Sequence, residues 1–295
     1  MINGVSSRLK TRVRTGDELI CDLPFDCASI NANSEIQILY ETPWWIAVYK
    51  PAGMITHPTT GHPDNTLTDL LSDDALSPVT RLDKHTSGIV LIAKCGHSHH
   101  QLSKIAYDKI YLGVVEGLVD SESGIIDAPI GRSDFSYLTR IVHPLGKTAR
   151  TGFWRIATNE EENVSLLAFQ LYTGRTHQIR VHQLWEGYPL VGDMLYGSQF
   201  LSSDSLVQRP PVRFFRLDWP RDYSEYPVSR VRPGRCIDKN SDPAPKHCGQ
   251  YLHCYQLNFC DPFSQQQIEI KAEIPIYFNQ YFSTETLNSI KLIKD

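Results

Sequence analysis

Three short segments combine side chains that take up protons, carry charge or attack carbon. Thr80-Arg81-Leu82-Asp83-Lys84-His85-Thr86-Ser87-Gly88 is a polar loop that runs directly into the apolar stretch Ile89-Val90-Leu91-Ile92-Ala93. Lys109 and Tyr111 alternate at the start of a strand-like run ending at Glu116-Gly117. Leu171-Tyr172-Thr173-Gly174-Arg175-Thr176-His177-Gln178-Ile179-Arg180-Val181-His182 crowds two arginines and two histidines into one turn and the residues after it. A polar loop abutting a hydrophobic strand is held by the scaffold and reached by solvent, which is where sites are commonly built. An ionised carboxylate serves as nucleophile or base, a phenol stacks or moves a proton, and a guanidinium holds a carboxylate. Taken singly, each segment reads as an ordinary turn with a surface ion pair. Their joint occurrence gives them weight.

The elements that must position these segments mix two periodicities. Ile36–Tyr40, Trp44–Tyr49, Gly88–Ala93, Lys109–Glu116 and Leu166–Leu171 read as strands from their aromatic and β-branched content. Thr66–Leu71, residues 97 to 106 and Ile179–Trp185 have helical spacing, and the last residues suit a short helix. Tyr251–Phe259 and Gln267–Ile274, joined by Asp261-Pro262-Phe263-Ser264, form a hairpin. There is no regular βαβ period, so the expected class is α+β with a mixed, mostly antiparallel sheet flanked by helices and loops. Residues 1 to 24 read as a small β unit with a turn at Gly16-Asp17 and a strand at Glu18–Leu23, residues 25 to 35 as a polar linker, and residues 36 to 295 as the main domain. Within it, positions 200 to 250 hold Pro210, Pro211, Pro220, Pro227, Pro233, Pro243 and Pro245 and read as an irregular insertion.

The chain has 295 residues, 41% hydrophobic and 21% charged, with a net charge of −4. That balance excludes a mostly disordered chain and argues against indiscriminate nucleic-acid binding. No apolar run is long enough for a membrane span, and the first residues lack the apolar centre of a signal peptide. Seven cysteines, an odd count, fit a reduced cytoplasmic protein. Cys236, Cys248, Cys254 and Cys260 contain no Cys-x-x-Cys pair, so no metal site is expected. The basic residues are grouped: Arg8, Lys10, Arg12 and Arg14 at the front, and Arg132, Arg140, Lys147, Arg150 and Arg155 in mid-chain opposed only by Asp134. A local basic face binds nucleic acid on an acidic chain.

Together the motifs resemble the RluA-type pseudouridine synthases, which isomerise uridine to pseudouridine in ribosomal or transfer RNA. The family's Arg-Leu-Asp and Thr-Ser-Gly stand at 81–83 and 86–88. Tyr49-Lys50-Pro51-Ala52-Gly53-Met54, the Lys109-x-Tyr111 pair, the complete Thr173–His182 string and Gly192-Asp193-x-x-Tyr196-Gly197 follow the family's order. The resemblance implies that Asp83 is the essential carboxylate, Tyr111 the active-site aromatic and Arg175 the arginine paired with Asp83. It implies that Arg81 fills the space left by a flipped-out base, and that Lys109, His177, Ile179 and Arg180 line or contact the RNA site. It also implies no cofactor, a structured RNA partner (rRNA or tRNA) and a monomer. Attack of the carboxylate on ribose, attack on the base, and initial removal of a ribose proton all start from the same aspartate. The alternative is a non-catalytic RNA-binding or ribosome-assembly protein of the same fold, which an intact Asp83, Tyr111 and Arg175 disfavours. Two departures stand out. Thr80 replaces a histidine common in the family, and the front unit matches only the last part of a small RNA-binding domain.

Overall fold

The protein is described by a computed structural model covering residues 2–5, 11–18, 27–31, 35–59, 64–72, 74, 76–133, 136–197 and 249–290. The turn expected at Gly16-Asp17 lies one residue earlier, at Thr15-Gly16: the Asp17 amide donates to the Arg14 carbonyl at 3.1 Å, and the Asp17 carboxylate accepts the Arg14 amide at 2.8 Å and the Asn3 side chain at 2.9 Å. Most of the strand expected at Glu18–Leu23 and of the insertion at 200–250 lies outside the described residues.

In chain order the main domain comprises β1 (Ile38–Glu41), β2 (Trp45–Lys50), α1 (Leu67–Leu71), β3 (Ser77–Pro78), β4 (Ser87–Ala93), α2 (Gly96–Leu102) and β5 (Asp108–Glu116). Next come β6 (Ser123–Asp127), β7 (Ile130–Ser133), β8 (Ser136–Val142), β9 (Arg150–Asn159), β10 (Val164–Leu171), α3 (Gln178–Glu186), β11 (Leu252–Cys260), β12 (Gln267–Lys271) and α4 (Thr284–Asn288). The apolar runs seen in the sequence become the sheet's centre, and every residue of β4 is buried. The 10-stranded sheet has the order β1-β2-β4-β11-β5-β10-β9-β6, with β12 also on β11 and β3 also on β4. All of its pairings are antiparallel except β11 with β4. This is the expected α+β arrangement. The stretch from 118 to 160, read above only for its charge, forms four further strands, two of which (β7 and β8) make a separate ribbon.

Alternation along the central strands builds a core on each face. On β5, Tyr111 and Val115 join the cluster that includes Trp45, Leu91 and Ile179, while Leu112 and Val114 point to Phe278, Phe282 and Leu287 near the C-terminus. On β10, Leu167 and Phe169 take the first face, Leu166 and Ala168 the second. The period of two puts successive side chains on opposite sides. Helix α3 covers the first face, with Ile179 3% exposed. Among the described residues, no helix is long and apolar enough to cross a membrane.

The parallel contact of β11 with β4 dictates one residue type. Gly88 has φ +114, and a Cβ there would lie 2.2 Å from the Cys254 carbonyl oxygen and 2.6 Å from its nitrogen. Backbone cannot give way as a side-chain tip can. Gly88→Ala is expected to destabilise the fold by roughly 3 kcal/mol or more. A soluble variant with an unchanged melting temperature would contradict this.

Two buried histidines tie stability to pH. His253 on β11 accepts or donates at Nδ1 with Ser87 Oγ at 2.9 Å, and burial pushes it down to about 3. His182 on α3 donates through Nε2 to the Ala128 carbonyl (2.9 Å), leaving Nδ1 to accept from the Thr151 hydroxyl (2.9 Å); burial pushes it down to about 4. Both fold neutral, whereas an unfolded histidine titrates near ~6.5. Below that pH the unfolded chain binds more protons, so this stability is complete above it and is lost as pH falls toward 4 and 3. By pH ~5 each should have lost on the order of 2 kcal/mol. Urea unfolding at pH 7.5 and 5 measures the loss, and equal midpoints would refute it.

Candidate active site

The sheet order brings the three chemical segments to one place. Asp83 lies on the loop entering β4, Tyr111 is on β5, and β11 runs between those strands. The turn before α3 closes the third side. These segments line a pocket of about 500 Å³, shared by Arg81, Asp83, Lys109, Tyr111, Arg175, His177, Ile179 and Arg180. All eight residues singled out in the sequence therefore reach it.

The Asp83 loop is tied down from several directions. The Thr86 amide donates to the Asp83 carbonyl (3.1 Å), and the Gly53 amide to the Lys84 carbonyl (2.8 Å). Gln250 Nε2 donates to Thr86 Oγ1 (3.0 Å), and Thr56 Oγ1 to the Leu82 carbonyl (3.3 Å). Thr80, which stands where the family commonly has histidine, is 6% exposed and accepts the Leu91 amide on Oγ1 at 2.9 Å. It faces its own strand and serves the loop's base.

Arg180 is the pivot. Its Nε and Nη2 hold the two oxygens of Asp193 at 2.7 and 2.8 Å, while Nη1 donates to Asp83 Oδ2 at 2.8 Å. One planar guanidinium thus spans two carboxylates, a geometry its fork of donors suits. Burial opposes the charge, but the Asp193 hydrogen bonds, then Asp83, hold the guanidinium's pKa above its usual value. The Asp193 side chain is fully buried and Asp83 is 28% exposed, so the first anchors and the second faces the pocket. Asp193 also accepts the amides of Leu195 and Tyr196 at 2.9 and 3.1 Å. The Tyr196 ring lies 4.9 Å from the guanidinium carbon, and its hydroxyl contacts His177 Nδ1 at 2.8 Å. His177 enters α3 with a left-handed backbone, φ 59, and its Nε2 stands 3.9 Å from Asp83 Oδ2. Burial lowers the imidazole's pKa, against the pull of Asp83.

The pairing implied by resemblance therefore needs correction. Arg175 does not hold Asp83; its Nε donates to the Thr148 carbonyl at 2.8 Å, and Arg180 takes the ion pair. Helix α3 begins at Gln178, so Arg180 sits on its inward face in the first turn, while Arg175 precedes the left-handed step at His177. Tyr111 is 6% exposed, beside the Cys254 thiol; burial, reinforced by Cys254, drives the phenol's pKa well above its usual range, so it works as a neutral hydroxyl. Burial lowers the pKa of Lys109, whose ammonium lies 5.5 Å from the centre of the Tyr107 ring. Arg81 is exposed at the pocket mouth.

Comparison with known proteins agrees with this geometry. The sequence pattern of a family described as RNA pseudouridylate synthase matches residues 45–185. The ribosomal large subunit pseudouridine synthase D of Pseudomonas aeruginosa is 34% identical, covering 74% of this chain and 76% of its own length. An RNA pseudouridine synthase of Bacillus subtilis, YhcT, is 38% identical over 66% of this chain and 70% of its own. The chain belongs to the RluA-type RNA pseudouridine synthases. The human RNA pseudouridylate synthase domain containing 1 shares the fold, with a TM-score of 0.57 at 19% identity over 82% of this chain and 85% of its own. As a pseudouridine synthase the protein is an isomerase acting on RNA.

Two residues of the synthase site had no assigned role in the sequence reading. Asp193 appeared only as part of a motif; a buried aspartate between glycine and an apolar turn requires a cation, and Arg180 is that cation. Lys50 closes the apolar strand β2, and a lysine ending such a run is the available signal. It is fully buried, and its ammonium donates to the carbonyls of Pro51, Met54 and Lys84 at 2.9, 2.8 and 3.1 Å. Burial pushes it down to about 7, with Asp83 pulling the other way. It joins the turn after β2 to the residue next to Asp83.

Proposed function

We propose that the synthase isomerises uridine in ribosomal RNA, with Asp83 as the nucleophilic carboxylate. The observation that carries this reading is the guanidinium of Arg180 divided between a buried anchor and a pocket-facing carboxylate. Asp193 fixes the arginine, and the arginine orients Asp83 and supplies its counter-charge. The reaction breaks the bond from ribose to a uracil nitrogen and remakes it to a uracil carbon. Nothing is oxidised, so no redox partner is called for. A covalent adduct on Asp83 divides one hard step into easier ones. A target base must leave its stack to enter the pocket. The ring of Tyr111 suits a uracil face, and its neutral hydroxyl suits a proton transfer at the new attachment carbon. Arg81, exposed at the mouth, suits the position the base vacates, and Arg175 and Lys109 suit the flanking phosphates.

Ribosomal RNA is favoured because the Pseudomonas aeruginosa relative is named for the large ribosomal subunit. Pseudouridine mapping in ribosomal and transfer RNA, from cells with and without the gene, tests the assignment. Loss of one or a few ribosomal positions is the expected result; loss confined to transfer RNA would redirect it.

A further inference from the structure

Residues 27 to 31 form a strap on the main domain, bonded to the end of α1 and to the residue after β4. The Ala28 amide donates to the Lys94 carbonyl at 2.8 Å, and the Asn31 amide to the Leu71 carbonyl at 2.7 Å. Ser72 Oγ donates to the Ser29 carbonyl at 2.7 Å. The first of these bonds places Cys27 next to Cys95, and the two thiols lie within hydrogen-bonding reach of each other. Both are reduced and partly exposed. Neither lines the pocket.

We infer that Cys27 and Cys95 form a reversible disulfide that clamps the strap to the catalytic domain, with a small-molecule disulfide as the oxidant. Neighbouring residues on hydrogen-bonded backbone segments meet the spacing such a bridge needs. Cys95 is the attacking sulfur. It sits 3.5 Å from Ser98 Oγ, and although burial raises its pKa, hydrogen bonds from Ser98, Cys27 and the His97 amide lower it overall. A thiolate is the reactive form. Cys95 gives up its proton and displaces one thiolate from the oxidant, forming a mixed disulfide. Cys27 then gives up its proton and attacks the Cys95 sulfur, displacing the second thiolate. Two protein thiols are oxidised, the small disulfide is reduced to two thiols, and the two protons go to the leaving groups.

The full-length protein, equilibrated in glutathione buffers of increasing oxidised fraction and digested without reduction, provides the test. A cross-linked peptide joining Cys27 to Cys95 is expected, with two fewer alkylatable thiols. In Cys27→Ser the bridge should be replaced by a glutathione adduct on Cys95. The oxidised protein should also show slower amide exchange at Ala28. Cys27 bridged instead to Cys21, or both thiols alkylated at every buffer composition, would overturn the assignment, and unchanged exchange at Ala28 would overturn the clamp.

Discussion

Asp83→Asn is expected to give a folded protein that binds RNA and produces no pseudouridine. The substitution keeps the shape of the side chain and an oxygen for the Arg180 Nη1 donor, now at 2.8 Å from Oδ2. Arg180 retains its two bonds to Asp193, so the buried pair does not lose its balance. What disappears is the nucleophile. Loss of a group that forms the covalent intermediate lowers turnover by more than about 10⁴-fold. Affinity for RNA should change little, because phosphate contacts set affinity and a carboxylate makes none of them. Mass spectrometry of pseudouridine in a responsive RNA, alongside a binding titration, measures both. Residual turnover of a few per cent would remove Asp83 from its role. A loss of binding as large as the loss of turnover would show that the residue acts in RNA recognition.

The second large effect belongs to Arg180. In Arg180→Leu the fully buried Asp193 keeps only amide donors, and an uncompensated buried charge costs about 3–5 kcal/mol. Urea unfolding should register that loss, and turnover should fall with it because Asp83 is no longer oriented. Arg180→Lys separates the two effects. An ammonium is a single point of charge, so it cannot hold both Asp193 oxygens side-on and reach Asp83 as well. That variant should recover much of the stability while turnover remains about 10²-fold low. Arg175→Lys is the contrasting control, since Arg175 binds the Thr148 carbonyl and not Asp83. If it proved more damaging than Arg180→Lys to both stability and turnover, the ion pair would be misassigned.

Much of this site was legible in the sequence because its loops are short and its strands continuous. The resemblance singled out Asp83 and Tyr111, and the polar loop before β4 and the strand-like run of β5 bring both to the pocket. Choosing between Arg175 and Arg180 was a different matter. Among the four residues between them His177 is left-handed, and nothing in the side-chain types announces that the backbone turns there. Asp193 was visible as a motif residue but not as a partner, since its cation lies in another element and only the folded chain joins them. Strands β7 and β8 escaped notice for a related reason. They form a ribbon apart from the main sheet, and Gly131, Arg132, Ser133, Thr139 and Arg140 interrupt its apolar residues. Sequence periodicity is read from sustained alternation, and short interrupted strands leave a faint record.

The placement of β11 has a consequence for how the chain is made. During synthesis β4 and β5 emerge long before the strand that fills the slot between them; His253 pairs with Ser87 across 166 residues. Until Cys260 has left the ribosome, these two central strands present open hydrogen-bonding edges, a known route to intermolecular pairing. Chains stopped before Leu252 should therefore aggregate although they carry every pocket residue but Leu252 itself. The long separation also makes the central contact a slow one to form. Its thermodynamic penalty grows only logarithmically with the intervening length, about 0.6 kcal/mol per doubling. Lengthening or shortening the connection between Gly197 and Gly249 should thus alter the folding rate more than the final stability, which makes that connection a suitable place to graft a reporter domain.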